Sequence, residues 1–231
     1  MRSADLRSAR AWFAAIALVA VAGVAHAGDK LAVQLAAGIA GLVDHDAAQP
    51  VELPVTVAPS RTNPGGTRLR FGRHTLIYTQ QKGEAFVIGS RRHEVQPATQ
   101  AFAPLDTQSI TATAFRVGSR RYIALQGNAQ GPDARAAPQV VVHVFAVHRT
   151  ALSLDPPVSF ANLHLGTRAI GRLPAGTLGV ALIDASVEGG STRYAATPMA
   201  IVTIKRALVA AGEEREIGRL RADGAFASSR S

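Results

Sequence analysis

Cysteine is missing from all 231 residues. Disulfides and thiol chemistry are therefore excluded, and the fold must be held by burial alone. Aromatic residues make up only 5 % of the chain, with a single Trp at position 12. A basic chain this poor in rings is badly equipped to stack on single-stranded nucleic acid, so nucleic acid is not an expected partner. No H-x-H, H-E-x-x-H or cysteine cluster occurs, so neither a metal nor another cofactor is expected. G-x-S-x-G, G-x-x-x-x-G-K-[ST] and G-x-G-x-x-G are missing too. Lysine is scarce, standing only at 30, 82 and 205, so the formal charge of +9 rests on arginine. The planar guanidinium fork suits carboxylates and phosphates; the plainer reading is a solvated basic surface.

The N-terminus carries Arg2, Arg7 and Arg10, then the uncharged run "AWFAAIALVAVAGV", then "AHA" ending at Ala27. A basic segment, an apolar core and an A-x-A site form the pattern of a secretory signal peptide, residues 1–27. The apolar run of about 14 residues falls short of the roughly 20 that a membrane span needs. Cleavage after Ala27 leaves a chain from Gly28 with a charge of +7, since three Arg and Asp5 depart. The expected location is periplasmic or secreted, with no transmembrane span after cleavage. Residues 31–43, "LAVQLAAGIAGLV", are apolar but short and read as core.

The remainder reads as strands. "VELPVTV" (51–57) alternates apolar and polar residues, the mark of a half-buried strand. Pro54 cannot donate to a ladder and points to a sheet edge, where a partner strand can add. Residues 74–80 and 84–90 flank "QKG" as a hairpin. Residues 109–117 and 120–126 flank only "GS", and Gly at the first position suits a type II′ turn. "QVVVHVFAVHR" (139–149) is apolar on both faces, as a central strand is. A further strand is expected over 176–187, a turn over 188–191, a strand over 199–205 and a short helix over about 213–221. The expected fold is all-β: an antiparallel β-sandwich or open barrel of meander hairpins with little helix. It is one β-rich domain over 28–222, with a possible subdivision near 153 and a flexible tail at 223–231.

The tetrapeptide Gly-Ser-Arg-Arg occurs twice, at 89–92 and 118–121. Pairing about Gly89-Ser90 sets Phe86 against His93. Pairing about Gly118-Ser119 sets Phe115 against Tyr122, a favourable aromatic pair, with Ile110, Ala112, Ala114, Ile123 and Leu125 on the core side. The same register sets Arg116 against Arg121, and directly opposed like charges are unfavourable. A four-residue turn, Gly118 to Arg121, removes that clash and is the expected outcome. If both tips reach one rim, Arg91, Arg92, His93, Arg120 and Arg121 form a basic cluster for a phosphate or carboxylate. Charged tips that merely resist edge-to-edge aggregation are the alternative.

His143 and His148 stand five apart, so on a strand they face opposite ways and cannot share an ion. His143, among Val141, Phe145 and Val147, reads as a hydrogen-bonded core residue. Asp44, His45 and Asp46 read as a polar turn. These features suggest a non-enzymatic β-module that binds an anionic lipid, lipopolysaccharide or an envelope protein. The competing reading is a small periplasmic hydrolase whose site assembles only in three dimensions.

Overall fold

The computed structural model describes residues 30–99, 101–129, 139–148 and 153–229. The expected signal segment, residues 1–27, lies outside them. Among the described residues, no helix is long and apolar enough to cross a membrane.

The fold is all-β, with every strand pairing antiparallel and most consecutive strands joined as hairpins. Three sheets are stacked rather than two. The central sheet holds β1 (Val51–Leu53), β7 (Thr111–Val117), β8 (Arg120–Asn128), β9 (Gln139–Val147) and β10 (Val158–Leu163), in that order. The N-terminal sheet is a five-stranded meander: β2 (Val55–Pro59), β3 (Thr67–Phe71), β4 (His74–Thr79), β5 (Ala85–Ile88) and β6 (Arg91–Glu94). The C-terminal sheet runs β11 (Ile170–Arg172), β12 (Leu178–Glu188), β13 (Ser191–Val202), β15 (Arg215–Leu220) and β16 (Phe226–Ser228), with β14 (Ala207–Ala210) also paired to β13.

The alternating pattern at 51–57 breaks where Pro54 withholds its ladder donor. The chain there steps from the edge of the central sheet, as β1, to the edge of the N-terminal sheet, as β2. Both halves are edge strands.

Two cores result, and the central sheet serves both. Its Ala112, Ile123, Leu125, Val141 and Phe145 pack against Leu69, Phe71, Leu76, Tyr78 and Phe86 of the N-terminal sheet. Its Phe115, Tyr122, Ala124, Val142 and Val144 pack with Val180, Tyr194, Ala196 and Ile217 of the C-terminal sheet. Each large side chain so buried contributes about 1.5–3 kcal/mol of transfer free energy. Phe115 and Tyr122 therefore face a second core, not the surface opposite one core.

A helix, α1, spans residues 30–39. Ala32, Leu35 and Ile39, with Leu42 just past its end, form one apolar stripe and join the C-terminal core. Gly38 lets it sit close to β15: a Cβ there would lie 3.0 Å from the Ile217 Cβ.

Residues 215–220 are strand, not helix: Ile217 is buried, Glu216 points out to two arginines, and the stretch pairs with β13. Within 223–231, Phe226–Ser228 pairs with β15 as β16. On either side of residue 153, β9 and β10 pair within the central sheet.

Candidate functional site: a basic cleft at an open sheet end

Both Gly-Ser-Arg-Arg copies end two-residue hairpins. Ile88 pairs with Arg91 and Phe86 with His93; Val117 pairs with Arg120 and Phe115 with Tyr122. Gly89 and Gly118 hold φ of 62° and 58°, which glycine adopts freely. The expected four-residue turn does not form, and Arg116 stands directly against Arg121. Its cost is limited for two reasons. Both side chains are exposed, so water screens them. The Arg116 Nε also donates to the Gly118 carbonyl at 3.2 Å, drawing one guanidinium toward the turn.

The four arginines and one histidine of the two tips differ in their surroundings. Arg92 folds back along the sheet and donates to the carbonyls of Gln81, Lys82 and Gly83 at 2.9, 3.2 and 2.8 Å. It clamps the β4–β5 turn. His93 is half-buried beside Arg91 and Arg206; burial first, and then those two positive charges, lower its pKa. Arg91 and Arg120 are exposed. Arg121 alone of the five lines a cleft at the open sheet end, and there it meets residues the tip motif does not contain.

That cleft, of about 570 Å³, opens where the N-terminal sheet stops short of the β7–β8 hairpin. The turn Gly72–Arg73–His74, between β3 and β4, lines it and approaches Leu53: a Cβ on Gly72 would lie 4.0 Å from the Leu53 Cδ1. Arg116 and Arg121 line it as well. Cross-strand register puts Val51 opposite Ala114, Arg116 opposite Arg121, and Arg121 opposite Val147. Leu53, Ala114, Ile123 and Val147 thus lie on the face of the central sheet that bears the arginines. The floor continues the inter-sheet core beyond its cover, and Val51 is 57 % exposed there. Among the described residues, no acidic side chain lines the cleft. Neither Arg73, Arg116 nor Arg121 forms an ion pair among the described residues. His74 stacks on Phe71 with ring centroids 6.0 Å apart.

A second polar assembly is sealed. The Tyr78 hydroxyl donates to Glu84 Oε1 at 2.6 Å and accepts from the Leu105 amide at 2.9 Å. His143 Nδ1 is 2.9 Å from Ser159 Oγ, and its Nε2 is 3.8 Å from Glu84. Burial, reinforced by Tyr78's partner Glu84, pushes the Tyr78 phenol up, and burial raises Glu84. Burial alone lowers His143 to about 3, so the ring is neutral and its approach to Glu84 is not an ion pair. Serine, histidine and carboxylate thus line up in space. Yet Ser159 and His143 are both fully buried, and neither lines the cleft. His148, five residues on and just past β9, is exposed and pairs with Asp155 at 2.5 Å.

Asp44–Asp46 is a turn: Asp44 Oδ1 accepts from the Ala47 amide at 2.9 Å, and His45 Nδ1 lies 2.7 Å from the Ile170 carbonyl. No group of three or more potential metal-ligating side chains occurs among the described residues.

Fold and cleft together define a class, an antiparallel three-sheet β-protein with an arginine-rimmed opening between two of its sheets. No known protein family, curated protein or solved structure matches this chain.

Proposed function

We propose that this protein is a non-enzymatic binding module of the cell envelope, periplasmic or secreted, that captures the anionic group of an envelope component. One observation carries the reading. Arg73, Arg116 and Arg121 line one cleft, and no carboxylate among the described residues neutralises them. Opposing Arg116 to Arg121 works against folding, and an anion between the two guanidiniums reverses the sign of that interaction. The signal-like N-terminus supports an envelope compartment, where phosphate-bearing lipids and lipopolysaccharide are the abundant anions. A hydrolase built on Ser159 and His143 would need both to reach solvent, and each is sealed beneath the N-terminal sheet.

Titration calorimetry with glycerophosphate, at two salt concentrations, tests this. Binding is expected to weaken with salt. Arg116→Gln combined with Arg121→Gln should cost at least about tenfold in affinity, as the loss of charge-assisted hydrogen bonds does. Arg91→Gln with Arg120→Gln should leave it unchanged. Equal affinity and equal salt slope in the first pair of substitutions would overturn the reading.

A further inference from the structure

We infer that the cleft accepts a single-chain anionic amphiphile as a monomer, its headgroup among Arg73, Arg116 and Arg121 and its aliphatic chain along Val51, Leu53, Ile123 and Val147. The inference rests on the anion-binding reading above and adds the chemistry of the rest of the ligand.

A face of a β-sheet that carries aliphatic side chains is stable when another layer covers it. The central sheet presents such a face to the N-terminal sheet over most of its area. At the β7–β8 end that cover stops at the Gly72–Arg73–His74 turn, and the face continues beyond it. Ile123 is 3 % exposed there, whereas Val51, two strands away on the same face, is 57 % exposed. The apolar floor therefore begins inside the core and runs outward to the surface. The three arginines lie along it and not at some other edge. Head and chain of an amphiphile meet their complements side by side: charge on the guanidiniums, methylenes on the valines and leucine.

Two features favour a monomer over a bilayer surface. The volume of about 570 Å³ falls within the range of pockets that enclose a small ligand. The cleft is also bounded by the β3–β4 turn of one sheet and the β7–β8 strands of another, so a chain lying in it has left a flat membrane. Inorganic phosphate would satisfy the arginines but leave the floor wet.

A chain-length series decides the matter. The intact protein is titrated with inorganic phosphate, then butyl, hexyl and octyl phosphate, each below its micelle concentration. Affinity should rise roughly three- to fourfold per methylene, the fold-change that corresponds to ~0.8 kcal/mol per buried CH₂, until the floor is filled. Val51→Thr with Val147→Thr keeps side-chain shape at two positions that are not fully buried, so the fold survives. It should flatten the chain-length slope while leaving inorganic phosphate affinity as it was. A flat series in the wild type, with phosphate still bound, sinks this inference and spares the anion reading. Binding to neither phosphate nor alkyl phosphate sinks both. Retention on anionic vesicles without binding of the monomers overturns the monomer claim. An unchanged slope in the double substitution overturns the placement of the chain.

Discussion

His143 shows how one residue sets a pH limit on this protein. Its ring is fully buried, hydrogen-bonded to Ser159 through Nδ1, and its Nε2 has no hydrogen-bond partner. The unfolded chain binds a proton at His143 near pH 6.5, while the folded chain resists until about 3. The unfolded state therefore holds more protons between those values, and stability falls as pH drops through that window, by a few kcal/mol at its lower end. Glu84 acts with the opposite sign. Its raised pKa means the folded state keeps a proton longer, so its contribution is lost as pH rises above the ordinary carboxylate value. Asparagine places a polar atom close to where Nδ1 stands and does not titrate. His143→Asn should cost stability at pH 7 through the cavity it leaves, yet narrow the gap between pH 7 and pH 4.5. Urea unfolding of both proteins at the two pH values measures that gap; an equal gap would acquit His143.

At the scale of the element, the two-residue hairpin matters most, because register decides what the cleft contains. Gly118 holds a φ of 58° with nothing within 4 Å of where a Cβ would sit, so conformation rather than space limits substitution there. Gly118→Ala should cost about 1–2 kcal/mol of stability for placing a side chain at positive φ, read from its denaturant midpoint. Gly218 is the reverse case. Its φ is ordinary, but a Cβ would lie 2.3 Å from the Phe226 ring. Elements with plain periodicity were legible in the sequence. Period two marked the stretch that became β1 and β2, the apolar run expected over 139–149 marked β9, and the Gly-Ser dipeptides marked both hairpin tips. Where two periods coincide, legibility failed. In "REIGRL", Ile217 and Leu220 stand three apart, as on a helix, but Ile217 is buried because β15 lies beneath α1. The stripe Ala32, Leu35, Ile39 and Leu42 carried a helical spacing that the mere apolarity of the segment concealed. The cleft was half legible. Two-residue pairing set Arg116 against Arg121, although the charge clash argued for a longer turn. Arg73 arrives from a different sheet, and local sequence holds no information about which turn will approach which strand.

The molecule as a whole is governed by its shared middle layer. Phe145 belongs to the core on one side of the central sheet and Phe160 to the core on the other. If the layers unfolded independently, removing each ring would affect only its own transition. Because β9 and β10 pair along six residue pairs and carry one ring each, both changes should act on the same event. Phe145→Ala and Phe160→Ala should each lower a single calorimetric Tm, at a cost of about 3–5 kcal/mol. Two separated transitions in either variant would show independent layers. The same arrangement bears on the order in which the chain is made. When β7, β8 and β9 have emerged from the ribosome, the N-terminal meander is ready to cover one side of them. The other side waits for Tyr194 and Ile217, tens of residues downstream. Until those appear, Phe115, Tyr122 and Val144 lack the larger part of their cover, so a chaperone that shields newly made apolar surface has a defined target here and a defined moment to let go.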